Sequence, residues 1–132
     1  MISNEEYDDR GNLIHYKWFK NVYIWCGYDK NNNEIHYKDS IGLEYWREYD
    51  ENNHCIHYKS SFGQEYWREY DENNHCIHYK NARGDEKFWK YNAKNNERID
   101  ITEKTLKQIK RNKERQEFLS RKYCSRFEIM DI

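Results

Sequence analysis

Residues Glu44 to Lys59 read EYWREYDENNHCIHYK, and the same 16 residues recur unchanged from Glu65 to Lys80. The offset is 21 residues, and working outward at that period gives units beginning at Tyr7, Tyr28, Tyr49 and Tyr70, with a fading fifth at Tyr91. A fixed period of this length marks an architecture in which one supersecondary unit is stacked on copies of itself. The recurring text is Tyr-Asp, a short polar stretch, Ile-His-Tyr-Lys, a second polar stretch, then Glu-Tyr-Trp-Arg-Glu. Alternation of apolar and polar residues in the two longer pieces is that of strands, not of a helix.

Two turns per unit follow from the residue types at fixed offsets. One offset carries Gly11, Asn32, Asn53, Asn74 and Asn95; the other carries Asn21, Gly42, Gly63 and Gly84. Gly and Asn are the residues that accept positive φ most readily. The pattern predicts a left-handed residue closing each turn, as in a three-residue hairpin loop made of a type I turn and a bulge. Asp8, Asp29, Asp50 and Asp71 stand where a carboxylate can accept the turn's N–H groups. Each unit is then two strands and two tight turns. The chain should form a single-layer antiparallel meander of roughly eight or nine strands over residues about 7–101.

The turn type also predicts a register. Trp46 should face Tyr58 and Glu48 should face Ile56, with Trp46 and Tyr58 on an inner face. Repetition makes inner ladders of Ile14, Ile35, Ile56 and Ile77; of Tyr16, Tyr37, Tyr58 and Tyr79; and of Trp25, Trp46, Trp67 and Phe88. The outer face would carry Tyr45, Arg47, Tyr49, Cys55, His57 and Lys59. This places Glu48 and Glu69 on the inner face, which they tolerate only near its rim. A slip of one residue exchanges the faces.

Composition fits such a fold. Aliphatic residues are scarce, but 13 Tyr and 5 Trp bring aromatics to 17%, and these supply large apolar area with polar ends that can stay wet. A net charge of −1 also argues against a self-repelling disordered chain. Met1 to Glu6 is polar and acidic, without a secretory pattern, and no stretch is apolar enough to span a bilayer. The expectation is a cytoplasmic protein with Cys26, Cys55, Cys76 and Cys124 reduced. Abundant Asn, Lys, Ile and Tyr with no Pro is the bias of an AT-rich coding sequence, pointing to a low-GC bacterium or its phage.

From about Asp100 the text becomes helical. Asp100 with Glu103 makes a capping box, and good helix formers follow. Ile109, Tyr123, Phe127 and Met130 define a stripe, with Leu119 at its edge. Charge divides here too: residues 1–101 carry net −5 and residues 102–132 carry net +4. Lys104, Lys107, Lys110, Arg111, Lys113 and Arg115 make the helical segment a nucleic-acid-binding candidate. The plain alternative is a solvated helix face electrostatically suited to its own acidic sheet.

Chemistry-bearing motifs are few. His54–His57 and His75–His78 repeat His-Cys-Ile-His, whose Cys and His at i and i+2 share a strand face and have metal-ligand character. Equivalent positions in neighbouring units lie two strands, roughly 9–10 Å, apart. That is too far for one zinc or a disulfide, so no metal or cofactor is expected. His15, His36, His57 and His78 form a ladder able to titrate near neutrality. None of the six Ser sits in a nucleophile-elbow context, and no Gly-rich phosphate loop is present. The expectation is a protein without catalytic activity.

What remains is the outer lattice of Tyr45, Arg47, Tyr49, His57 and Lys59, repeated as Tyr66, Arg68, Tyr70, His78 and Lys80. Tyr and Arg are the side chains enriched at protein–protein hot spots. Self-association through open sheet edges is a further expectation.

The Tyr-Asp-turn text at Tyr28, Asp29 and Asn32, and at Tyr49, Asp50 and Asn53, resembles the YD repeats of bacterial RHS-type proteins. The aromatic–Gly periodicity is similar to MORN-type β-hairpin repeats, including small bacterial proteins regarded as antitoxins. The likeness spans Tyr7 to about Asn96. It implies a scaffold for protein or membrane contact and carries over no catalytic residue. With the composition, the expected function is protein binding by a small stoichiometric inhibitor, antitoxin-like or phage-encoded, and a membrane partner is not expected.

Overall fold

A computed structural model describes the backbone of residues 3–130 and the side chains of residues 4–122. It contains ten strands and one helix: β1 (Ser3–Tyr7), β2 (Leu13–Trp18), β3 (Val22–Tyr28), β4 (Glu34–Asp39), β5 (Glu44–Tyr49), β6 (Cys55–Ser60), β7 (Glu65–Tyr70), β8 (Cys76–Asn81), β9 (Glu86–Tyr91), β10 (Arg98–Asp100) and α1 (Thr102–Met130). The strands follow one another across a single antiparallel sheet in sequence order. The meander is therefore as expected, with ten strands in place of eight or nine.

The turns form because their residues satisfy the backbone locally. In the first turn of each unit φ is positive at Gly11, Asn32, Asn53 and Asn74, and in the second at Asn21, Gly42, Gly63 and Gly84. Asp50 shows the device: its Oδ1 accepts the N–H of Asn52 at 2.9 Å and of His54 at 3.0 Å. Partial burial pushes this carboxyl up, but donation by His54 and Asn52 outweighs burial and holds it below its ordinary range. Asp8, Asp29 and Asp71 repeat the arrangement. The second turns use Asp39, Ser60 and Asn81 in the same way; Asp39 Oδ1 alone accepts from Ile41, Gly42 and Leu43 at 3.0–3.1 Å. The fifth turn departs from the pattern. Its left-handed residue is Asn96, not Asn95, because the loop is one residue longer, with the Asn96 N–H donating to the Asn92 carbonyl.

The register corrects the expected faces. Tyr49 pairs with Cys55, as the loop type requires, but Glu48 pairs with His57, Arg47 with Tyr58 and Trp46 with Lys59. Ile56 is skipped. The bulge inserts one residue and shifts the pairing by one beyond it, and it recurs in the next unit, where Glu69 pairs with His78 and Tyr70 with Cys76. One face therefore carries Trp46, Glu48, His57 and Lys59, and the other Tyr45, Arg47 and Tyr58. The Tyr37, Tyr58 and Tyr79 ladder and the Trp25, Trp46 and Trp67 ladder lie on opposite faces. Glu48 and Glu69, awkward on an apolar face, sit beside histidines.

Burial within the repeat body is shallow. Among the described residues Ile24, 7% exposed, is the one buried apolar side chain, while Asp39 and Ser60 are the buried polar ones. Half-buried aromatics take the place of an aliphatic core, each ring covering its neighbours across strands.

The chain divides into two compact units, one running to Lys87 and one starting at Phe88. The first is the repeat body. In the second, β9 pairs with β10, and the Thr102 hydroxyl accepts the Phe88 N–H at 2.9 Å where α1 begins. The Asp100 carboxylate accepts the Thr102 N–H at 2.9 Å, and Glu103 forms an ion pair with Lys107 at 2.9 Å. Side chains from Leu106 to Lys122 are exposed, including Ile109 and Leu119 of the expected apolar stripe. Its remaining members, Tyr123, Phe127 and Met130, lie outside the described side chains, as does Cys124. No helix among the described residues is long and apolar enough to cross a membrane.

Candidate functional site: two unlike faces of the repeat sheet

The Tyr–Arg face is a stacked column. Tyr37 and Tyr45 lie 4.7 Å apart and nearly parallel, Tyr58 and Tyr66 5.1 Å apart, with tilted contacts joining Tyr45 to Tyr58 and Tyr66 to Tyr79. The Arg47 guanidinium lies 4.7 Å from the Tyr45 ring centroid and 5.6 Å from Tyr58; Arg68 stands in the same way to Tyr66 and Tyr79. Cation–π contact holds these cations in place. Arg47 also approaches Glu34 at 3.7 Å, and Glu34 accepts a short hydrogen bond from Tyr45. Burial, then the Glu34 contact, pushes the Tyr45 phenol well above its ordinary range. The column is thus occupied with its own contacts, and none of these tyrosines is among the exposed large side chains.

The opposite face is open. Trp25, Trp46 and Trp67 are 41%, 42% and 39% exposed, at equivalent places in successive units and so about 9–10 Å apart. One side of each indole is covered by an imidazole on the preceding strand. His15 stacks on Trp25 at 4.9 Å, His36 on Trp46 at 5.6 Å and His57 on Trp67 at 5.1 Å. Lys38, Lys59 and Lys80 pair with the same tryptophans from the following strand.

Glutamates tie the histidines across strands. His36 Nε2 meets Glu44 at 2.8 Å; His57 meets Glu48 at 3.4 Å and Glu65 at 2.9 Å; His78 meets Glu69 at 3.0 Å and Glu86 at 2.8 Å. A neutral imidazole has one N–H donor, whereas the protonated ring has two. For His78, partial burial lowers the affinity for the second proton, but the hydrogen bonds to Glu69 and Glu86 prevail and raise its pKa above the ordinary histidine value.

The expected lattice is therefore two surfaces. Tyr45, Arg47, Tyr66 and Arg68 share one face. Tyr49 and Tyr70 sit at the bulges, the Tyr49 hydroxyl donating to the Glu34 carbonyl, and the Tyr70 ring stacks on His54 at 4.3 Å. His57, Lys59, His78 and Lys80 belong to the face bearing the tryptophans. The bulge also separates Cys55 from His57. The Cys55 thiol lies 4.0 Å from the Tyr66 hydroxyl, while His57 lies on Trp67. Among the described residues no three His, Cys, Asp or Glu side chains are grouped as a metal site.

On α1, Lys104, Lys107, Lys110, Arg111, Lys113 and Arg115 are all exposed. Lys104, Lys107, Arg111 and Arg115 fall along one side at helical spacing, and Lys110 and Lys113 fall away from it.

Sequence reasoning missed the exposed tryptophan row. The signal was the pair Glu48 and Glu69, whose charge belongs on the wetter face. Fold and site define an antiparallel β-meander repeat protein with one closed and one open aromatic face. In comparison with known proteins, the chain matches no protein-family model and no curated protein.

Proposed function

We propose that this chain is a non-enzymatic protein-binding module that engages its partner through the Trp25–Trp46–Trp67 face. The observation that carries it is the exposure of three equally spaced tryptophans, each flanked by a His and a Lys, with Glu on either side of Trp46 and of Trp67. Trp is the side chain most enriched at binding hot spots, and an apolar row bordered by both charge signs has the core-and-rim composition of a protein interface. A rigid sheet whose rings are already held by stacking loses little side-chain freedom on binding. Such a face suits a stoichiometric inhibitor acting in the cytoplasm, of the antitoxin-like or phage-encoded kind. Self-association through sheet edges is the competing outcome.

The test is affinity capture from nuclease-treated host lysate, followed by mass spectrometry, with the full chain and two surface variants. Capture of one protein in near-stoichiometric amount, lost in Lys59→Glu/Lys80→Glu and kept in Arg47→Ala/Arg68→Ala, supports the tryptophan face. The reverse pattern moves the site to the Tyr–Arg face. Capture of the chain itself alone, or of nothing, overturns the proposal. Far-UV circular dichroism checks that each variant remains folded.

A further inference from the structure

We infer that α1 carries a second, independent binding site, for the phosphodiester backbone of a nucleic acid. Placing residues at 3.6 per turn puts Lys104, Lys107, Gln108, Arg111, Arg115, Phe118 and Lys122 within roughly a 100° arc. Five of the seven are cations, all seven side chains are exposed, and no carboxylate falls in the arc. The acidic residues among the helix's described side chains, Glu103, Glu114 and Glu117, all lie to one side of it. One of them, Glu103, reaches across to Lys107 at 2.9 Å.

Opposite charges at i,i+4 do occur on the helix, at Glu103–Lys107, Lys110–Glu114, Lys113–Glu117 and Glu117–Arg121, but their carboxylates all lie outside the arc. Lys107, Arg111 and Arg115 are like charges at successive i,i+4 steps, which destabilise a free helix. A bound polyanion turns that repulsion into attraction. The row from Lys104 to Lys122 runs about 27 Å along the axis, straight and of one sign. Its match is a ligand that is itself linear and of one sign, and duplex DNA presents one phosphate charge per roughly 1.7 Å of axis. A folded protein surface, mixed in sign, matches such a row less well. Residues 1–101, with their net charge of −5, add no attraction for phosphate, so binding rests on the helix. Contacts of this kind position a protein on nucleic acid without reading sequence.

The experiment is fluorescence anisotropy of labelled DNA and RNA duplexes of roughly 20 base pairs and arbitrary sequence, titrated with the full chain from 50 to 200 mM salt. Five phosphate contacts predict an affinity loss of about 500-fold across that range on DNA. Arg111→Gln/Arg115→Gln should reduce the loss to about 40-fold, as expected for three contacts. Lys110→Gln/Lys113→Gln, off the arc, should keep the parent's salt dependence. Preference between the two duplexes identifies which nucleic acid is bound. The inference is overturned if neither duplex binds at 50 mM salt, or if the two double variants shift the slope equally. It is also overturned if anionic phospholipid vesicles bind the chain while both duplexes do not. Because the repeat body is untouched, loss of duplex binding leaves nuclease-resistant protein capture as it was, so the two sites fail separately.

Discussion

The imidazole of His57 lies on the indole of Trp67, with ring centroids 5.1 Å apart and planes 9° from parallel. The contact joins adjacent strands of a shallowly buried sheet, so cross-strand pairs of this kind carry stability that a core would otherwise supply. A double-mutant cycle of His57→Ala and Trp67→Ala, read by urea unfolding, should give a coupling of about 0.5–1.5 kcal/mol. Additive single losses would show that the rings are merely neighbours.

His78 predicts the direction of a pH effect. Its folded pKa is raised, so the folded chain holds the second proton more tightly than the unfolded chain. The stabilisation is fully present below the unfolded histidine pKa of about 6.5 and is lost as pH rises through the elevated folded value. Unfolding midpoints measured from about pH 5 to 8 should therefore fall across that interval. The fall should be smaller in His78→Gln. An equal fall in both proteins would remove His78 as its source.

Asp39 is the buried hub of the second turn between β4 and β5. Replacing it with Ala leaves the Ile41 and Leu43 N–H groups without their acceptor, while Gly42 keeps the Asp39 carbonyl, and should cost about 1–3 kcal/mol. Asp39→Asn keeps a carbonyl acceptor and should cost clearly less. The comparison asks whether acceptance or charge matters, since Asn81 does the same task without charge.

Gly63 separates backbone strain from crowding. Its φ is +84°, and a Cβ built there meets nothing within 4 Å. Gly63→Ala should thus lose about 1–2 kcal/mol through conformation alone, and Gly63→Asn noticeably less. A loss of the same size in both would point to some cause other than the left-handed backbone.

Much of the sheet was legible because each turn demands particular residues. Asn32, Asn53, Asn74, Gly42, Gly63 and Gly84 announce positive φ, and Asp50 announces an acceptor for turn N–H groups. The bulge at Ile56 has no such marker. Its extra residue is an ordinary β-branched one, and only the misplaced charge of Glu48 hinted at it. One unmarked residue per unit was enough to move His57 and Lys59, and likewise His78 and Lys80, to the other face from Tyr45 and Arg47. The tryptophans were misassigned for a related reason. Large apolar rings read as core, yet Trp46 and Trp67 stay exposed with only one side of each ring covered, by His36 and His57. The helix was legible in type from its composition, whereas the acid-free arc needed only helical spacing.

Successive first turns are joined by amide rungs: the Asn12 side chain donates to Asn32, and Asn33 donates to Asn53, each at 2.8 Å. The first three units thus meet through the same joint, while His54 and His75 take the donor's place in the next two. The strand register itself repeats from β5–β6 to β7–β8, so a gene that copies or drops a whole unit still yields matching borders, and length can drift without a new fold having to be invented. The identical stretches at Glu44–Lys59 and Glu65–Lys80 are what a recent copy would leave behind. Relatives of this chain should accordingly differ by multiples of 21 residues, widening or narrowing the aromatic faces one tryptophan at a time.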